Sequence, residues 1–178
     1  MKIDAIRRNA DETKKKLLLA ARNVLAEEGY IAFSENKICD LVGVTRGALR
    51  HHFPAGRYDL IKELTWSFFQ QIPASATQDG KARIMELIAF MHQQPEQNPL
   101  VLIMEIWLAS FADERLAASV KEAFDQRYRI FFNVDSLDEL PDDLIPYRFM
   151  FWGAILSMHH QGKDNRSLPK VLDFLEKH

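Results

Sequence analysis

The stretch that most constrains this chain runs from Ser34 to Leu60 and reads SENKICDLVGVTRGALRHHFPAGRYDL. Two short helical patterns are separated by Gly43, a residue that can adopt the positive φ of a sharp turn. Thr45 stands where a helix N-cap would accept a backbone N–H, and Ser34 stands in the same place before the first pattern. Pro54 ends the second pattern, because proline and the residue before it resist helical continuation. The stretch therefore predicts two helices joined by a tight turn, with a third starting directly afterwards.

This arrangement is a helix-turn-helix, in which the second helix enters the major groove of DNA. Gly47 and Ala48 are small, so the backbone of the second helix can approach the floor of the groove. Arg46 is always charged and can fork onto a guanine edge or a phosphate. A helical hairpin with a solvated basic face is the alternative that the stretch alone leaves open. The exposed face of the second helix would carry Thr45, Arg46, Gly47, Arg50, His51 and His52.

The same stretch resembles the signature of the TetR (tetracycline-repressor) family of bacterial regulators. The chain departs from that signature at Arg50, where the family usually has tyrosine, and its hydroxyl residue lies one place late at Ser34. The resemblance implies that Arg46 reaches a base and that Arg57, at the start of the fourth helix, grips phosphate. The residues that carry it are Gly29, Ser34, Ile38, Gly43-Val44-Thr45-Arg46-Gly47-Ala48-Leu49, His51-His52-Phe53 and Arg57. The DNA-binding residues that we predict are Ser34, Lys37, Thr45, Arg46, Gly47, Arg50, His51, His52 and Arg57.

Charge is distributed unevenly along the chain. Residues 1–66 hold 12 Lys and Arg against 9 Asp and Glu, a net of +3, whereas residues 67–178 hold 11 against 16, a net of −5. A DNA-binding head attached to a body that does not bind DNA would have this asymmetry. The content of 47% hydrophobic residues is typical of a globular protein, and no apolar run is long enough to span a membrane. The single cysteine, Cys39, and the lack of a signal peptide lead us to expect a cytoplasmic protein.

Helical periodicity continues through the chain, without the period-two alternation of strands. We predict an all-α fold of about nine helices, with residues 1–10 preceding the first helix as a polar terminus and Gly29 stopping it. The turn-forming composition of residues 73–80 suggests a domain boundary. We therefore expect a helix-turn-helix DNA-binding domain at 1–56, a connecting helix 4 at 57–73, and a helical ligand-binding and dimerisation domain at 74–178. Outside the hairpin, the predicted helices lie at about 11–28, 57–71, 80–94, 99–111, 113–132, 142–161 and 167–177.

The C-terminal body is rich in methionine and aromatic side chains, which line apolar cavities but also form ordinary helical cores. Glu105 lies within an apolar run of helix 6, so its carboxylate needs a partner. Arg127 and Arg148 are candidate partners, and a polar or cationic ligand is the alternative. The family resemblance implies a cavity among helices 5 to 8. The residues that we predict to bind a ligand there are Met91, Met104, Glu105, Trp107, Phe111, Tyr128 and Trp152.

The sequence contains no phosphate loop, dinucleotide fingerprint or nucleophile motif, so we expect neither enzymatic activity nor a cofactor. We expect no metal site either, since the neighbouring His159 and His160 would point to different sides of a helix. Our interpretation is a TetR-like repressor that binds a palindromic operator as a homodimer through helices 8 and 9. A small hydrophobic or aromatic effector would release it from the operator. The alternatives are a ligand-independent DNA-binding or architectural protein, and a helical dimer without DNA function.

Overall fold

The structure of the chain is a computed structural model, which describes residues 2–75, 77, 79–93, 98–136, 139–161 and 166–177. Side chains are described from residue 10 onwards, except those of residues 159–161. These ranges contain helices and no strands, which confirms the predicted all-α fold. A short 3-10 helix at Asp142–Leu144 precedes the eighth helix. The α-helices are α1 (Lys2–Ala32), α2 (Glu35–Val42), α3 (Arg46–His52), α4 (Arg57–Gln71), α5 (Gly80–Gln93), α6 (Leu100–Ser110), α7 (Glu114–Phe132), α8 (Ile145–Gln161) and α9 (Ser167–Lys177).

Helix α1 differs from the prediction at both of its ends. It begins at Lys2, so the expectation that residues 1–10 precede the helix was wrong. That segment is polar but contains no glycine or proline, and polarity alone does not oppose helix formation. At the other end Gly29 interrupts the helix with φ 77° and ψ 178°, a conformation that is essentially restricted to glycine. Helical backbone resumes beyond it and ends at Ala32.

The turn between α2 and α3 forms as the sequence predicts. The Ser34 hydroxyl accepts the backbone N–H of Lys37 at 3.3 Å, and the Thr45 hydroxyl accepts that of Ala48 at 3.2 Å. Gly43 adopts φ 72° in the left-handed region and donates its N–H to the Cys39 carbonyl at 2.9 Å. These local contacts satisfy backbone groups at the ends of both helices, so the turn is defined by its own residues.

The chain divides into two compact units, and the first joins distant parts of the sequence. It comprises residues 1–67 and 105–121. In this unit α1, α2 and α3 pack on one another around buried side chains that include Leu17, Phe33 and Leu49. The end of α6 and the start of α7 therefore belong to the same unit as the helix-turn-helix.

The second unit comprises residues 68–104 and 122–178. Helix α9 packs against α5 and α8, and its Leu168 and Leu175 are completely buried. Within the described ranges, no helix combines the length and the apolar character needed to cross a membrane. The side chains of His159 and His160, which we expected to diverge, lie outside the described residues. The predicted division at 56 and 74 stays a prediction.

Candidate DNA-binding surface

Six of the nine residues predicted to contact DNA lie on α3 or at its N-cap. Thr45, Arg46, Gly47, Arg50 and His51 are all exposed, and His52 is half-buried. On the opposite face of this helix, the side chains of Leu49 and Phe53 are completely buried. The amphipathic pattern therefore anchors α3 to the head and leaves its polar side chains pointing away from the protein.

Both arginines of α3 contact a carboxylate that our sequence reasoning missed, that of Glu35 at the start of α2. Arg50 donates Nε to Oε2 at 3.1 Å and Nη2 to Oε1 at 3.0 Å, and Arg46 donates Nε to Oε2 at 3.3 Å. The hydrogen bond from Arg50, aided by the charges of both arginines, lowers the pKa of the Glu35 carboxyl group below its ordinary value. One sequence signal could have revealed it: Arg46 and Arg50 are four residues apart, and like charges at this helical spacing repel unless a carboxylate lies nearby.

Gly56 makes room for this carboxylate. Its φ of 63° lies in the left-handed region, where residues with a side chain are strained. A Cβ atom at this position would lie 1.9 Å from Glu35 Oε1, well inside contact distance. The turn before α4 therefore needs glycine for its backbone and also to admit the Glu35 side chain.

Lys37, another predicted DNA contact, is half-buried and forms an ion pair with Glu28 of α1. To bind a phosphate, the ammonium of Lys37 would have to exchange Glu28 for the new anion, at modest cost because the pair is partly exposed. A second lysine of the head, Lys14 of α1, pairs with Glu63 at 2.7 Å and lies 5.4 Å from the centre of the Phe53 ring.

Arg57, the predicted phosphate contact, stacks among aromatic rings. Its guanidinium lies 4.5 Å from the centre of the Tyr30 ring and 5.7 Å from that of Tyr58. Its Nε is buried without a hydrogen-bond partner among the described residues.

The two tyrosines beside Arg57 share a carboxylate. Asp113 accepts a hydrogen bond from the hydroxyl of Tyr30 at 2.7 Å and from that of Tyr58 at 3.4 Å. Burial and the hydrogen bond to Asp113 raise the pKa of Tyr30, so the phenol stays protonated and keeps donating.

Glu105 has a different partner from the ones we predicted. Its Oε1 accepts the backbone N–H of Tyr30 at 2.6 Å. Arg127 instead donates to the Phe69 carbonyl, and Arg148 donates to the Tyr128 hydroxyl at 2.9 Å, so the arginine partners were wrong. The physical reason is the break in α1, which frees the Tyr30 N–H from the helical pattern. Side-chain periodicity carries no information about such a freed backbone donor.

The seven residues predicted to bind a ligand fall in both compact units. Glu105, Trp107 and Phe111 belong to the first unit, where the Trp107 and Phe111 rings meet edge to face at 4.7 Å. Phe111 is 68% exposed. In the second unit Met91 and Met104 are buried, while Arg148 contacts the other two predicted residues. It donates to Tyr128 and lies 4.7 Å above the ring of Trp152. Their role in binding a ligand stays a prediction.

Residues 17–64 match the family model described as bacterial regulatory proteins, tetR family. The helix-turn-helix head is therefore similar to that of the TetR family. It is also similar to a protein named HTH-type transcriptional regulator CymR, from Pseudomonas putida. The two are 32% identical over 111 residues, which is 62% of this chain and 49% of that protein. The chain therefore spans about half the length of this curated relative.

These matches confirm the resemblance to the TetR family seen in the sequence. The matched segment begins within α1 and ends within α4, so it includes both helices of the hairpin and the contacts of Glu35 and Arg57. The head is thus a helix-turn-helix of the DNA-binding type, and α3 is its second helix.

Proposed function

We propose that this TetR-family chain is a repressor that binds a palindromic operator as a homodimer and leaves it when a small hydrophobic or aromatic effector binds. The observation that carries the proposal is the exposed face of α3 in a head that matches the TetR model. Buried Leu49 and Phe53 hold α3 against the head, and the side chains of its exposed face are not part of the core. A helix held in this way can enter a major groove without rearranging the head.

The chemistry of this face suits DNA. Arg46 and Arg50 can contact guanine or phosphate, and Thr45 and His51 add polar groups at the same surface. Gly47 has open space above it apart from the cap hydroxyl of Thr45, 3.7 Å from where its Cβ would lie. The net charge of +3 on residues 1–66 supplies the long-range attraction to the phosphates that a chain of net charge −2 would otherwise lack.

Helix α8 offers a surface for the homodimer. Exposed apolar side chains recur on one face of it at Ile145, Phe149 and Leu156, with exposed Gly153 between them. A Cβ atom at Gly153 would meet nothing within 4 Å, so a second helix can approach closely there. Phe174 of α9 is 48% exposed as well. A two-fold pair of such faces would bury this apolar surface and present two recognition helices to two half-sites.

The effector that we propose is small and hydrophobic or aromatic, because the predicted ligand-binding residues are mainly methionine and aromatic. Half-buried Tyr128 and Trp152 could stack on such a molecule. Release from DNA would follow if the effector binds more tightly to a conformation whose two heads do not fit the operator.

The test begins with the full chain and a library of random-sequence DNA duplexes. Repeated selection should enrich a palindromic site whose affinity exceeds that of a shuffled duplex by a factor of about 10³ or more. Sedimentation of the free protein should give a dimer. A library of small aromatic compounds is then screened for release of the selected duplex. Enrichment without release by any compound would favour the ligand-independent alternative, and the lack of any enriched site would refute DNA recognition.

A further inference from the structure

One carboxylate serves both arginines of the recognition helix. The side chain of Glu35 is only 12% exposed, whereas those of Arg46 and Arg50 are 58% and 52% exposed. Arg46 and Arg50 are four residues apart, so they lie one above the other on the same face of α3. Glu35 therefore lies beneath two guanidinium groups that point towards the solvent.

The two arginines use this carboxylate differently. Arg50 binds both oxygens through Nε and Nη2, which occupies one whole edge of its guanidinium. Arg46 contacts one oxygen through Nε, an arrangement that leaves its two terminal Nη groups outside the contact. A bidentate contact with guanine O6 and N7 needs two donors on one edge. Both arginines keep such a pair at the end of the guanidinium, formed by Nη1 and by an N–H of Nη2 that points away from Glu35.

We propose that Glu35 is a specificity-determining positioning residue of the DNA-binding surface. It holds Arg50 by two hydrogen bonds and Arg46 by one, so that each guanidinium presents its Nη end to a guanine or a phosphate. This proposal rests on the DNA binding proposed above.

The surroundings of Glu35 support a positioning role over an incidental surface ion pair. Exposed pairs contribute little because both side chains are mobile, but here the carboxylate is largely covered and accepts three hydrogen bonds. The space that admits it exists because position 56 is glycine in a left-handed conformation. A negative charge next to the DNA weakens binding to every sequence, which is the cost expected of a device for selectivity.

The experiment compares Glu35→Gln with Asp40→Asn, which removes one exposed carboxylate from the same helix. The probes are the duplex enriched by selection and a shuffled duplex of equal length and composition. Glu35→Gln should bind the shuffled duplex more tightly, and the ratio of the two affinities should fall about tenfold, or about 1.4 kcal/mol. Asp40→Asn should shift both affinities together and preserve the ratio. Equal ratios in the two variants would overturn the proposal, because charge alone would then explain the effect.

A double-mutant cycle with Arg50→Gln tests whether Glu35 acts through that arginine. In the Arg50→Gln background, Glu35→Gln should change the affinity ratio less than it does in the wild-type chain, because only its contact with Arg46 remains to be lost, and an undiminished effect would refute the coupling. Should Glu35→Gln lose helical circular dichroism, Glu35→Asp replaces it, since it keeps the charge but shortens the reach. That variant should lower the ratio with an unaltered salt dependence, and a wild-type ratio would count against the proposal. A wild-type chain without sequence preference would refute the proposed function itself, whereas preference without coupling refutes this inference alone.

Discussion

Replacing Gly29 by alanine tests the contact that joins the end of α1 to α6 within the first unit. Gly29 adopts φ 77° and ψ 178°, and a Cβ atom there would lie 2.7 Å from Glu105 Oε1. Alanine must therefore accept a strained backbone and also displace the carboxylate that receives the Tyr30 N–H. Gly29→Ala therefore has two separate energetic costs, the backbone strain and the loss of this hydrogen bond.

The strain of a side chain in this backbone region costs about 1–3 kcal/mol. Displacement of Glu105 leaves the N–H of Tyr30 without its acceptor, which costs about 1–3 kcal/mol more. We therefore expect Gly29→Ala to lower the free energy of unfolding by about 2–6 kcal/mol. That loss is a large part of the stability of an ordinary domain.

The assay is urea unfolding followed by helical circular dichroism, with Gly43→Ala as the matched control. Gly43 also has positive φ, 72°, but a Cβ atom there would meet nothing within 4 Å. The control should therefore lose only the left-handed backbone term, about 1–2 kcal/mol. Combining Gly29→Ala with Glu105→Ala should give less than the sum of the single effects, because both remove the same contact. Equal losses in the two glycine variants, or strict additivity with Glu105→Ala, would refute the reasoning.

Four further results are expected. Arg46→Ala should weaken binding to the selected duplex by about 1–3 kcal/mol and relax selectivity at one base pair in a mutated-site series, and equal loss on shuffled DNA would make it a phosphate contact. Arg57→Ala should weaken binding to all duplexes alike and lower the slope of log affinity against log salt concentration by about one. An unchanged slope would mean that Arg57 contacts only its aromatic neighbours and no phosphate. Leu156→Asp should sediment as a monomer while Leu19→Asp, a change at another exposed leucine, remains a dimer; identical behaviour of the two would place the interface elsewhere. The hydrogen bond from the Tyr30 hydroxyl lowers the pKa of Asp113 in the folded chain. The stabilisation by this carboxylate is therefore complete above the pKa of the unfolded chain, about 4, and is lost as the pH falls through the lower pKa of the folded chain. Asp113→Asn should accordingly flatten the loss of stability in acid, and an unchanged pH profile would argue against this account.

The sequence by itself determined those parts of the head that depend on neighbouring residues. Ser34 and Thr45 cap their helices through backbone groups three residues away, and Gly43 supplies a positive φ that its own lack of a side chain permits. The buried and exposed faces of α3 follow from the spacing of Leu49 and Phe53. Such features are local, so composition and spacing suffice to predict them.

The tertiary structure decided how the charged side chains are paired. Glu35 and Arg50 are 15 residues apart, and Glu105 meets the Tyr30 N–H across 75 residues. We assigned Glu105 to arginines because a buried carboxylate most often seeks a cation, but the break at Gly29 exposed a backbone donor that periodicity cannot reveal. Likewise, we expected α9 to contribute to the homodimer interface, and its Leu168 and Leu175 are buried within their own chain. Hydrophobic spacing specifies that a side chain will be covered, whereas only the packing of distant segments specifies what covers it.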